Sequence, residues 1–181
     1  MFAMETDIQD EIFSFRQELL RSRNYYSRLW GRYKSWLWTL WFVEACAGVL
    51  VLTKWFDLNS VWARIVLLVG IVLPATKKIM TLPQRIKDLE WQYHECQDVL
   101  NALELEKNPT ANFVAAQRQR FSAVEKLDQP TIQCLMAICA NEAFVAMDVK
   151  KRFKMTWYEY RIGPYVSWIK YDDHAELVDV E

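Results

Sequence analysis

Glu44 is the residue in this sequence whose surroundings most suggest chemistry. It is the one charged side chain in WLWTLWFVEACAGVLVLT, residues Trp36 to Thr53. A carboxylate in the middle of an apolar helix is costly unless it faces a bundle interior or water. It therefore marks an ion path or a polar contact between helices. Ala45, Ala47 and Gly48 beside it are small enough to let helices approach closely. In an oligomer, one Glu44 per subunit would form a carboxylate ring that favours cations. The alternative is a Glu44 that hydrogen-bonds a neighbouring helix or pairs with an arginine. Arg64 is the other charge inside an apolar run, and outward snorkelling accounts for it.

Signals for catalysis are weak. His94 and His174 are the only two side chains that ordinarily titrate near neutral pH. Glu90 and His94 are four apart on a helix, as expected of a solvated face. His94 and Cys96, two apart, point to different faces, so they do not share a metal. No Ser-His-Asp set, phosphate-binding glycine loop or dinucleotide fingerprint appears. The expectation is a protein that is not an enzyme, with no cofactor and no metal. Cys46, Cys96, Cys134 and Cys139 lack the CxxC spacing of a metal or redox pair and read as small apolar residues in a reducing compartment. The first apolar run starts too far in for a signal peptide.

The elements that would carry Glu44 follow from apolar runs and from what is scarce. Four glycines and five prolines in 181 residues leave little for turns, so the chain is expected to be all-α. Nine tryptophans point to an apolar–wet boundary, with a Trp-rich soluble core as the alternative. As a helix, Trp36–Thr53 covers roughly 27 Å, close to the hydrocarbon thickness of a bilayer. Trp36, Trp38 and Trp41 crowd one end, and Trp55 and Phe56 the other. A second run, Val61–Thr76, spans only if Arg64 snorkels and the helix continues through Pro74. Between them, Asp57, Asn59 and Ser60 supply turn and capping chemistry. A short connection makes the two helices antiparallel neighbours. A pair of buried core helices is the soluble alternative.

Charge sets the expected orientation. Arg16, Arg21, Arg23, Arg28, Arg32 and Lys34 precede the first run, and Lys77, Lys78, Arg85 and Lys87 follow the second. Only Lys54 and Arg64 lie between. Positive flanks stay in the cytoplasm, so both termini are expected there, in a multi-pass protein of a bacterial inner membrane. The net charge of -1 gives no reason to expect direct nucleic-acid binding.

Four segments result. Residues 1–34 form a basic amphipathic helix, with Ile8, Ile12, Phe15, Leu19 and Leu20 at helical spacing. Its arginines suit anionic lipid heads, and packing on neighbouring helices explains the pattern equally well. Residues 35–80 form the transmembrane hairpin. Residues 81–154 form a cytoplasmic helical bundle or coiled-coil region. Its first helix, 82–107, carries a heptad seam of Leu82, Ile86, Leu89, Tyr93, Cys96, Leu100 and Leu103. That seam must be covered, by other helices of this chain or by a second copy. Two more helices are predicted, Thr110–Leu127 with Phe113, Phe121, Val124 and Leu127 inward, and Thr131–Lys154. Residues 155–181 form an aromatic, then acidic, arm of short strands or irregular chain.

This order of parts resembles the SLATT group of bacterial two-transmembrane effectors. The residues that carry the likeness are RSRNYYSRLWGRYKSW (Arg21–Trp36), the runs to Thr76, LEWQYHECQDVLNAL (Leu89–Leu103) and CANEAF (Cys139–Phe144). The resemblance implies a membrane effector of anti-phage or inter-strain conflict systems. Such a protein would homo-oligomerise in the lipid bilayer and breach it when a cytoplasmic sensor protein or nucleotide signal engages. A non-enzymatic membrane adaptor, of the exclusion type or an accessory subunit, is the alternative.

Overall fold

The computed structural model describes residues 2–52, 61, 65, 68, 81–127, 132–165 and 177–179. The chain is predominantly α-helical: α1 (Phe2–Leu52), α2 (Leu82–Leu105), α3 (Ala111–Glu125), α4 (Gln133–Ala146) and the one-turn α5 (Trp157–Arg161). A 3-10 turn, Gly163–Tyr165, follows α5. Strands β1 (Lys151–Phe153) and β2 (Leu177–Asp179) pair antiparallel, with Arg152 opposite Val178. Two compact units result: Met1–Ser27 with Trp91–Glu181, and Arg28–Glu90.

α1 runs unbroken through residue 34. No proline precedes Pro74, and Gly31 and Gly48 are the only glycines before Leu52. With no breaker, each added residue gains a backbone hydrogen bond and the helix propagates. The basic segment and the first apolar run are therefore one 51-residue helix. Of the second run, only Val61, Ile65 and Leu68 are described, each helical. The expected turn (Asp57, Asn59, Ser60) and Arg64, Pro74, Lys77 and Lys78 lie outside the described residues.

In the first unit, the early part of α1 packs with α2 and α3 as a three-helix layer. Arg16 bonds Glu104 at 2.8 Å and Arg23 bonds Gln97 at 3.3 Å, so α2 runs antiparallel to α1. Arg120 grips Glu95 with Nε and Nη2 at 3.0 and 2.7 Å, and Gln92 donates to the Val124 carbonyl at 3.1 Å. α3 is therefore antiparallel to α2 and parallel to α1. Phe15 meets Phe121 edge-on at 5.9 Å, and the Arg118 guanidinium lies 4.8 Å over the Phe15 ring. Phe15, Leu19, Cys96, Val99 and Val124 are fully buried. Each large apolar side chain contributes about 1.5–3 kcal/mol, against about 0–1 for an exposed ion pair. The core therefore holds the layer, and the ion pairs set its register.

The heptad helix forms nearly as expected. Leu82, Leu89, Cys96, Leu100 and Leu103 are buried within the chain, and Ile86 and Tyr93 are half-buried. Thr110 caps α3 by accepting from Phe113 N–H at 3.3 Å. Phe121 and Val124 of α3 point inward as expected, joined by Val114 and Gln117, while Leu127 is exposed.

α4 stops eight residues before the expected Lys154. Asp148 adopts φ 55, the left-handed conformation that closes a helix. Val149 N–H donates to the Phe144 carbonyl at 2.9 Å and Asp148 N–H to Val145 at 3.2 Å, the paired bonds of a Schellman ending. The chain then turns back as β1. The start of α4 borrows from α1, because Ile132 N–H donates to the Tyr25 hydroxyl at 3.1 Å. β1, α5 and the 3-10 turn all pack on α4, so the arm belongs to the first unit up to Tyr165.

Candidate functional site

The second unit presents a surface that water does not favour. Along the later part of α1, Trp36 (59%), Trp38 (65%), Trp41 (55%) and Phe42 (70%) are exposed, and so are Val43 and Val49. Val61, Ile65 and Leu68, from the second run, are exposed as well. Isolated apolar side chains on a surface are ordinary, but a contiguous run of this size marks an interface. Trp38 and Trp41 lie 6.1 Å apart and widen the patch into one aromatic band.

A second face of the same helix is sheltered. Leu37, Leu40 and Glu44 are half-buried and Ala47 is buried. Their spacing of three, four and three places them on one stripe. Glu44 is thus on the half-buried side of the helix, with Trp41 one turn before it. The sequence pointed to Glu44 as costly but missed the stripe. The signal was available, since Leu37, Leu40 and Ala47 share the heptad register of Glu44. Gly48 lies off this stripe and is exposed, and a Cβ built there would meet nothing within 4 Å. It is open to a close neighbour.

Arg16 and Arg23 are bonded to α2, and Arg21 is half-buried with its Nε enclosed. Arg16 and Arg23 thus bind side chains of the helical layer, the packing alternative for this helix. Arg28, Arg32 and Lys34 precede Trp36 by about two turns or less along α1; Arg28 and Lys34 are exposed and Arg32 is half-buried. Lys34 Nζ sits 5.0 Å over the Trp30 ring.

Elsewhere, chemistry is sparse. Among the described residues, no group of three His, Cys, Asp or Glu side chains could hold a metal. All four cysteines are reduced. Burial pushes the Cys96 thiol up to about 12, with Glu95 and Glu125 adding to the effect and Arg23 opposing it. Burial raises Cys134 as well, with Glu159 contributing. Both are packing residues in their neutral form. His94 is exposed on the opposite side of α2 from the buried Cys96, and lies edge-on to Tyr93 at 5.2 Å.

Among the described residues, no helix is long and apolar enough to cross a membrane. The described side chains of α1 end at Val49, and Leu50, Val51 and Leu52, which extend the apolar run in sequence, fall outside them. No protein-family model, curated protein or solved structure matches this chain.

Proposed function

We propose that lipid covers the exposed aromatic band of α1, and that the chain is an oligomeric membrane effector that forms or gates a pore. In this reading Trp36–Thr53 and Val61–Thr76 form a two-span hairpin in a bacterial inner membrane, with both ends in the cytoplasm. The observation that carries it is the exposure of Trp36, Trp38, Trp41 and Phe42 on one helix, with Arg28, Arg32 and Lys34 preceding them in the sequence. Tryptophan with flanking cations suits a bilayer edge. The conflict-system setting rests on the resemblance to the SLATT group. The sensor protein or nucleotide signal that would trigger the effector rests on it too.

In the pore reading, Glu44 is the cation-selecting group, drawn to a common axis when copies meet across the open side of Gly48. Full-length chain reconstituted into dye-loaded liposomes is then expected to release dye, and overexpression to be toxic. Glu44→Gln should weaken cation selectivity, and Glu44→Leu should close the path. Wild-type chain that neither leaks dye nor harms cells removes the pore while leaving the membrane anchor in place.

A second reading is favoured by a separate observation. Glu44 sits on the sheltered stripe of α1, and the seam of α2 is buried within one chain. Both suit a dry spanning region in an adaptor whose helical layer binds a cytoplasmic partner. The liposome experiment separates the two, because the adaptor leaves dye inside at every protein concentration.

A further inference from the structure

A second aromatic surface lies on the first unit, far along the sequence from α1. Trp157 (73%), Tyr158 (50%), Tyr160 (57%), Ile162 (45%) and Tyr165 (71%) are exposed on α5 and the turn after it. Five large side chains within nine residues form a concentrated patch. It is also firmly built. Thr156 and Glu159 close a capping box, with Thr156 N–H donating to Glu159 Oε2 at 2.7 Å. Gly163 and Pro164 are buried beneath the patch. Asn141 holds the preceding strand through the Phe153 backbone. The aromatics therefore stand on a fixed platform, and their exposure is a property of the fold.

We propose that this platform rests on the headgroup layer of an anionic bilayer. The residue types choose the occupant. Four of the five are Trp or Tyr, each an apolar ring with a polar tip suited to a layer that grades from water to hydrocarbon, and the fifth, Ile162, is purely apolar. Charge points the same way. Lys150, Lys154 and Arg161 are exposed in the segment that carries the patch, against one exposed carboxylate, Asp148, among its described residues, since Glu159 is buried in its capping box. Lys151 is exposed too, but lies in register with Asp179 of β2. The segment is thus cationic, and anionic headgroups complement it. The contact would tie the helical layer to the membrane surface, where its docking and release could report on lipid charge. It stands on the aromatic platform alone and does not require α1 to span.

Hydroxyl-radical footprinting of the full chain reads each aromatic separately by mass spectrometry. The chain is placed in detergent micelles, in phosphatidylcholine nanodiscs and in nanodiscs containing phosphatidylglycerol. Oxidation of Trp157, Tyr160 and Tyr165 is expected to fall several-fold only in the phosphatidylglycerol discs. Arg161→Glu with Lys154→Glu should restore it. Trp91, exposed on α2, serves as the reference. Unchanged oxidation in phosphatidylglycerol discs overturns the proposal. Protection in detergent that rises with protein concentration assigns the platform to a second copy and overturns it as well. So does protection in detergent by an added single-stranded oligonucleotide. Trp36, Trp38 and Trp41 report on the spanning reading in the same samples, so the two can fail independently.

Discussion

Asn141 treats Phe153 as a strand would. Its Nδ2 donates to the Phe153 carbonyl at 2.9 Å, and Phe153 N–H donates to its Oδ1 at 2.7 Å. One side-chain amide on α4 thereby satisfies both backbone groups of a residue in β1. Phe144, one turn further along α4, stacks against the Phe153 ring at 5.7 Å. This clamp fixes the start of the segment that leads to the aromatic platform.

Asn141→Ala should therefore cost about 2 kcal/mol, since two part-buried hydrogen bonds are lost and their backbone partners are left wanting. Asn141→Asp should cost a similar amount, because it keeps the acceptor but removes the donor. Thermal unfolding of both variants gives the magnitude. Hydrogen exchange should show the Phe153 amide released, with α2 and α3 unaffected.

Two buried glutamines in the helical layer should respond in opposite senses. Gln92 is 1% exposed and satisfies the Val124 carbonyl at 3.1 Å. Gln117 is 9% exposed and its Oε1 is buried with no hydrogen-bond partner among the described residues. Gln92→Met should destabilise by about 1 kcal/mol, while Gln117→Met should be neutral or stabilising by about 1 kcal/mol. Urea unfolding midpoints decide between them.

Asp148 holds a left-handed conformation at the end of α4 with φ 55. Glycine adopts this conformation without a steric penalty. Asp148→Gly should raise stability by about 0.5–1 kcal/mol, and Asp148→Val should lower it by more. Calorimetric melting of the two variants tests the sign of each.

Cys96 ties stability to alkaline pH. Its thiol is pushed up to about 12 in the fold, from an ordinary 9.0. A raised folded value means that the native state holds its proton while the unfolded chain loses it. The contribution is complete below about pH 9 and is lost as pH rises toward 12. Cys96→Ala should start lower in stability, for lack of volume, but decline less steeply across that window. Denaturation midpoints at a series of pH values show whether the slopes differ.

The parts of this fold that were legible in sequence are those set by local periodicity. The α2 seam, the Thr110 cap and the inward Phe121 and Val124 are visible because spacing and capping act over a few residues. The early end of α4 was not legible, because an aspartate in place of glycine closes it. The roles of Arg16 and Arg23 were hidden for a different reason. Glu104 and Gln97 lie far along the chain, and only tertiary packing brings them together. Glu44 was legible as an exception, yet the stripe that shelters it emerged only from the pattern of exposure along α1.

The most direct test of lipid contact uses Cys46. It is the one exposed cysteine, and it lies within the apolar run of α1, while Cys96, Cys134 and Cys139 are buried. In intact membranes, a charged water-soluble maleimide should leave Cys46 unmodified, and Cys46 should become reactive once detergent or denaturant strips the bilayer away. Full modification of Cys46 in the native chain by the same reagent, at the rate of an exposed thiol in water, would contradict the account.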